Sequence, residues 1–262
     1  MVAVLVGLYL ISTIAHLYYL LKKYFLASAV GIGSLICGFL LHTAMLGVSF
    51  SSPSTRGWGV WLSAFAWVII FLYLGVFFRH RDMSLGGFAV PFGFVLEGYA
   101  SAIPGVWGAG SIEVQGYLLV GHALLALLSG ASFFFLFGFS LMFVAQSRQL
   151  KSKRPSAWLH RLPSLDVLDD LNHKILYFGF TFLTASLLIG SMWAKSTHGT
   201  YWSLDKIRTL PLVLVWGAYG VLLVCRLTRS WKGNRSAVFS MISFVAVVVA
   251  FAVHLMMREV MS

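Results

Sequence analysis

The strongest constraint on this chain is a series of long apolar stretches separated by short, charge-bearing loops. A helix needs about 20 mostly apolar residues to cross a bilayer. Only 10% of the 262 residues are charged and 59% are hydrophobic, which excludes an ordinary soluble enzyme and a disordered chain. We therefore predict an all-α, polytopic integral membrane protein. Its eight candidate transmembrane helices lie at 2–21, 24–50, 58–78, 85–103, 114–145, 174–194, 209–226 and 237–257.

The distribution of lysine and arginine predicts how these helices are oriented. Alternate loops hold fourteen and five of the basic residues, and the richer set lies on the cytoplasmic side of a bacterial inner membrane. Both termini are then on the outer side. Because the basic residues lie between apolar stretches, we assign the net charge of +11 to orientation and contact with membrane lipid, not to nucleic acid. Without an internal repeat or a low-complexity segment, residues 1–262 are expected to form a single transmembrane domain.

The longest predicted cytoplasmic stretch is 146–173. Within it, Leu165, Leu168 and Leu171 recur at helical spacing, with aspartates on the opposite face. This pattern predicts an interfacial helix that leads into the sixth span.

Four of the eight histidines are predicted near the outer face. His42 lies eight residues before the end of the second span, and His122 lies eight residues after the start of the fifth. Both imidazoles are then roughly 12 Å below the outer surface. His198 is in the outer loop after the sixth span, and His254 is near the outer end of the last. Two interpretations stay open: each histidine bonds to a neighbouring helix, or several share a site, for which haem iron is a suitable ligand. His16, in the inner half of the first span, is expected to hydrogen-bond between helices.

Glu97 is a carboxylate inside the fourth predicted span, which Pro91 and several glycines interrupt. It either pairs with a histidine or carries a proton, or it marks the point where the helix ends and water begins.

The outer loop 193–205 concentrates aromatic side chains with one histidine: Trp193, His198, Tyr201 and Trp202. Flat apolar faces beside a nitrogen ligand are suited to cover a planar macrocycle. The alternative is the aromatic belt that enriches tryptophan and tyrosine at every membrane interface.

The order of residues in this loop resembles the tryptophan-rich (WWD) signature of the cytochrome c assembly family, the CcsA/HemX-like membrane proteins. The similarity extends to the stretch from Gly38 to Thr43, to the distance between His122 and Phe133, and to the basic turn 226–237. Its specific part is 170–237. The signature matches at Trp193, Ala194, Gly199, Tyr201, Trp202, Ser203, Asp205 and Thr209.

This resemblance implies a role in cytochrome c-type biogenesis. The chain would bind haem at the outer face and present it for attachment to apocytochrome c, together with a second cytochrome c assembly membrane protein. His122 would match the family's outer ligand, and the loop with Trp193, Trp202 and Asp205 would lie against the haem edge. His42, His198 or His254 would supply further ligation. No haem-attachment CxxCH occurs in the sequence, so the haem would be b-type and noncovalent.

The sequence also departs from the signature. His198 stands where the family has its middle tryptophan, Leu204 replaces the second tryptophan of the W-x-W-D run, and Val224 replaces an embedded histidine. These departures leave an alternative open beside the first interpretation: a HemX-like, non-catalytic scaffold or regulator of haem biosynthesis that has lost haem ligands. The sequence contains no nucleophile triad or phosphate-binding glycine loop, and whether the chain catalyses a reaction stays open.

Overall fold

A computed structural model shows that the described part of the chain is helical and contains no β-strand. It covers residues 1–51, 58–103, 107, 116–152, 162–199, 201, 206–228 and 230–260, without the side chains of residues 51, 58, 152, 198, 206–211 and 250–260. The helices are α1 (Val2–Lys22), α2 (Phe25–Ser51), α3 (Trp58–His80), α4 (Gly86–Ala102), α5 (Tyr117–Ser152), α6 (Leu165–His198), α7 (Lys206–Leu227) and α8 (Asn234–Val260).

These eight helices coincide with the eight predicted spans, and the all-α, multi-pass membrane class is confirmed. Five of them, α1, α2, α3, α5 and α6, are long and apolar enough to cross a bilayer. The fourth helix has 17 residues and continues through Pro91 to Ala102. The apolar parts of α7 and α8, Leu212–Leu227 and Asn234–Val249, are shorter.

The helix predicted at 165–171 leads into the sixth span, and the two form one continuous helix of 34 residues. Ser164 caps its start, because the side-chain oxygen accepts a hydrogen bond from the Val167 amide. Its interfacial placement is corrected by the structure: Leu168 and Leu171 are buried, so these apolar side chains pack inside the protein instead of lying on lipid.

The chain divides into two compact units, the first holding α1–α4 and the second α5–α8. The single domain predicted from the sequence stays a prediction. In unit 1, α1 packs against α2 and α4, and α3 packs against α2 and α4. In unit 2, α5 packs against α6 and α8, and α7 packs against α6 and α8.

Aromatic packing holds the centre of unit 2. The rings of Phe133 on α5 and Tyr219 on α7 stack with their centroids 3.7 Å apart. Leu136, Leu176 and Leu222 are buried in the same cluster. Burying such a side chain contributes roughly 1.5–3 kcal/mol, so this cluster keeps α5, α6 and α7 together next to the end of α5 that carries His122.

Candidate functional site

His122, in the second turn of α5, contacts the neighbouring helix α6. Its Nδ1 lies 2.8 Å from the carbonyl oxygen of Ser186 and 3.0 Å from the Ser186 hydroxyl. The same hydroxyl donates to the carbonyl oxygen of His122 at 3.1 Å. These contacts fix the ring against α6 in a half-buried position.

The carbonyl contact determines which nitrogen of His122 carries the proton. A carbonyl oxygen can only accept a hydrogen bond, so Nδ1 must be the donor. In the neutral ring, Nε2 then holds a free lone pair, and no hydrogen-bond partner for it occurs among the described residues. A ring nitrogen held in this way by a backbone carbonyl is the usual arrangement of a histidine that binds a metal through its other nitrogen.

Gly190, one turn after Ser186 on α6, makes room for the imidazole. A Cβ atom at this position would lie 2.7 Å from Nδ1 and 2.9 Å from Cε1 of His122. The ring therefore occupies the space that any other residue would fill. Neither Ser186 nor Gly190 was predicted as a partner of His122, although a hydroxyl and a small residue four positions apart on one helix face indicate close helix packing.

His42 on α2 lies in unit 1, inside a buried polar network. Its Nδ1 shares a hydrogen bond of 3.0 Å with the hydroxyl of Tyr9 on α1. Its Nε2 is 2.8 Å from the hydroxyl of Ser63 on α3. All three side chains are fully buried, so both ring nitrogens of His42 are already engaged.

Glu97 on α4 completes this network, since one of its carboxylate oxygens is 2.7 Å from Ser63 Oγ and 3.4 Å from His42 Nε2. The other oxygen accepts from Ser101 at 2.8 Å, and the indole of Trp107 donates to Ser101 at 3.4 Å. Glu97 is fully buried. Of the two interpretations of Glu97, the structure therefore supports pairing with a histidine.

The two histidines predicted at equal depth thus have different environments. His122 offers a free Nε2 lone pair, whereas His42 must give up a hydrogen bond before it can bind a metal. They belong to different units, and the shared site stays a prediction.

Part of the tryptophan-rich loop is described. Trp193 is half-buried in the last turns of α6. Gly199 ends this helix in the left-handed conformation, with φ of 76°, and its amide donates to the carbonyl of Lys195. The ammonium of Lys195 lies 4.4 Å from the ring centroid of Tyr201. Trp202 and Asp205, and the side chains of His198 and His254, lie outside the described residues.

His16 forms the interhelical hydrogen bond expected of it. Its Nδ1 donates to the Ser12 carbonyl at 2.8 Å, and its Nε2 accepts from the hydroxyl of Tyr73 on α3 at 3.0 Å. Gly86, at the start of α4, packs directly on this pair, because a Cβ there would collide with both His16 and Tyr73. This histidine is therefore a structural contact between helices.

Arg226 departs from the role given to the basic residues, which the sequence assigned to orientation and lipid contact. Its guanidinium is buried, donates at 2.9 Å to the carbonyl and at 3.0 Å to the carboxylate of Asp169, and donates at 2.7 Å to Ser236. It connects the end of α7 with the starts of α6 and α8. Among the described residues, no group of histidine, cysteine and acidic side chains has the arrangement of a metal site.

Comparison with known proteins shows which family this chain matches. The family model described as Cytochrome C assembly protein matches residues 1–261. The cytochrome c biogenesis protein CcsA of Chlamydomonas reinhardtii is 29% identical over 189 residues, which cover 70% of this chain and 52% of that protein.

Shorter alignments show higher identity. The CcsA protein of Gloeothece citriformis is 35% identical over 100 residues, covering 38% of this chain and 30% of that protein. That of Guillardia theta is 37% identical over 87 residues, covering 33% of this chain and 29% of that protein. The chain thus spans between about a third and about half of the length of these relatives.

Proposed function

This chain belongs to the cytochrome c assembly protein family, and from that premise we propose that it is a haem-handling membrane protein of cytochrome c maturation. It holds haem at the outer membrane face and presents it to apocytochrome c. Related proteins from three sources carry the name cytochrome c biogenesis protein. Eight helices, with the tryptophan-rich stretch between α6 and α7, are consistent with this role.

The observation that carries the proposal is the state of His122. Its Nδ1 proton is fixed by the Ser186 carbonyl, so Nε2 points its lone pair away from α6 as a ligand for haem iron. Gly190 and Ser186 are the positioning residues, because they set the place and the tautomer of the ring. When bound, haem supplies the porphyrin that becomes attached to the client, while the protein supplies binding and orientation.

Apart from His42, the other candidate site residues surround the porphyrin or supply its second ligand. Trp193, Trp202 and Asp205 border the porphyrin, and His198 or His254 gives the second axial ligand. His42 is not assigned as a ligand in this proposal, since both of its nitrogens are occupied within unit 1. Partners are apocytochrome c and a second assembly protein of the same membrane, the cytoplasmic membrane of a bacterium.

The test is the absorption spectrum of the protein purified in detergent, before and after haem is added. We expect a b-type haem band in the unaltered protein and its loss in His122→Ala. His173→Ala is the matched control. His173 is also half-buried, but it lies near the start of α6, whereas the residues of α6 that contact His122 lie towards its end. Gly190→Ala, which displaces the ring without removing it, is expected to weaken haem binding at least about tenfold, the size typical of changes behind a metal ligand.

The HemX-like alternative predicts a spectrum without a haem band, with or without added haem. A protein that stays colourless with excess haem, although it is monodisperse and folded, would refute haem handling and leave a scaffold or regulator of haem biosynthesis.

A further inference from the structure

A second ionisable site lies in unit 1 and is independent of His122. Four helices each contribute a side chain to it: Tyr9 from α1, His42 from α2, Ser63 from α3 and Glu97 from α4. All four side chains are completely buried. A carboxylate and an imidazole in the interior of a membrane protein are costly to bury and generally have a function.

The charge balance around Glu97 requires a proton. Among the described residues, the only ionisable nitrogen within ion-pair distance of its carboxylate is Nε2 of His42, at 3.4 Å. The other described charges of unit 1 lie at the two ends of α1, at the end of α3 and just before α4: the Met1 ammonium, Lys22, Lys23, Arg79, Arg81 and Asp82. With a neutral His42, the carboxylate would be an isolated buried charge. One proton shared between the two groups makes the pair neutral overall.

The heavy atoms are placed so that this proton can rest on either group. With the proton on His42, Nε2–H donates to Ser63 Oγ, the Ser63 hydroxyl donates to Glu97, and Nδ1–H donates to Tyr9. With the proton on Glu97, its O–H donates to Ser63, the Ser63 hydroxyl donates to Nε2, and Tyr9 still accepts from Nδ1. One form becomes the other when the Glu97 proton passes to Ser63 and the Ser63 proton passes to Nε2. No bond between heavy atoms forms or breaks, because a hydroxyl both donates and accepts.

At one end the network reaches side chains that are only partly buried. From Glu97 it continues to Ser101 and Trp107. At the other end, the described contacts of the Tyr9 hydroxyl lead to the fully buried His42 alone. The Ser101 end is therefore the accessible end of the described network.

We propose that His42, Ser63 and Glu97 form a proton-binding site inside unit 1, loaded and unloaded through Ser101 from the membrane side on which the α4–α5 loop lies. This goes beyond haem handling, because the site is built from unit 1 residues alone, whereas His122 belongs to unit 2.

The test is infrared difference spectroscopy of the purified protein in lipid nanodiscs while the pH is varied. We expect a carboxylic-acid C=O band that titrates and shifts in D₂O, and that is lost in Glu97→Gln. Asp166→Asn is the matched control, since Asp166 is an exposed carboxylate in unit 2 and should leave the band unchanged. His42→Gln should displace the midpoint of the band by about 1 pH unit or more, the effect of removing a neighbouring charge partner.

A second pair of variants keeps the proposal testable even where Glu97→Gln does not fold. Ser63→Ala removes the bridge and no titratable group, and should displace the midpoint, while Ser63→Thr keeps the hydroxyl and should restore it. In sealed vesicles, the band should respond to a pH step on the α4–α5 side alone. A spectrum unchanged by Glu97→Gln or by Ser63→Ala, or an equal response from both sides, would overturn the proposal.

Discussion

A methyl group added at Gly86 tests the packing of unit 1 most directly. The glycine lies at the start of α4, against the imidazole of His16 and the phenol of Tyr73. In Gly86→Ala the new Cβ overlaps both rings. Neither ring can move freely, because His16 is also bonded to Ser12 on its own helix. The substitution must therefore push α4 away from α1 and α3, or break the hydrogen bond between His16 and Tyr73.

The expected cost follows from these two contributions. Overpacking a filled core costs about 1–3 kcal/mol. Loss of the 3.0 Å hydrogen bond adds about 1 kcal/mol. The higher helix propensity of alanine offsets less than about 1 kcal/mol of this loss of stability. Taken together, these limits predict that Gly86→Ala lowers the free energy of unfolding by about 1–4 kcal/mol.

Gly98→Ala on the same helix is the matched control. A Cβ at Gly98 meets no atom within 4 Å, so this variant should be neutral or more stable by up to about 1 kcal/mol. The assay is unfolding of the detergent-solubilised protein by heat and by increasing SDS, followed by circular dichroism. Equal stability of the two variants would refute the described packing of α4 on His16 and Tyr73.

Two further predictions concern buried polar groups. Arg226→Met leaves the partly buried Asp169 carboxylate without its partner and should destabilise the protein by about 2–3 kcal/mol. Lys174→Met, the control, breaks only an exposed ion pair and should cost less than about 0.5 kcal/mol. Equal losses of stability for the two variants in SDS unfolding would contradict the burial of Arg226. Tyr219→Phe removes a buried hydroxyl that has no partner among the described residues and should stabilise by about 1 kcal/mol. Tyr73→Phe removes a hydroxyl that is hydrogen-bonded to His16 and should destabilise the protein by about 1–2 kcal/mol. If both variants changed the thermal unfolding temperature in the same direction, the different hydrogen-bonding states of the two hydroxyls would be contradicted.

The helices were predictable because a bilayer leaves the backbone few choices. Apolar stretches of sufficient length must satisfy their amides internally, and this requirement fixed six of the eight helices to within three residues at both ends. The largest differences are at the end of α5, seven residues beyond the predicted span, and at the start of α6, nine residues before it. The start of α6 shows why. Amphipathic spacing at 165–171 is the same for a helix that packs on lipid and for one that packs on protein. Only the contact with Arg226 and the burial of Leu168 distinguish them.

The site was predictable in part. Intramembrane histidines and Glu97 were conspicuous because they are rare and costly in a membrane. Their partners were not, since Tyr9, Ser63 and Ser186 are common residues whose roles depend on which helices are neighbours. The positions of His42 and His122 within their spans predicted equal depths in the membrane. They could not show that both ring nitrogens of His42 are engaged while Nε2 of His122 is free.

The lengths of α5 and α6 have a mechanical consequence. With 36 and 34 residues they extend about 50 Å each, well beyond a hydrocarbon core of about 30 Å. Neither contains a proline, the commonest cause of a sharp bend. Helix α6 carries both polar contacts described above: Ser186 bonds His122 towards one end, and Asp169 bonds Arg226 near the other. These two positions are seventeen residues apart, about 25 Å along the helix axis. Because no proline interrupts this stretch, one unbroken helix joins the two contacts.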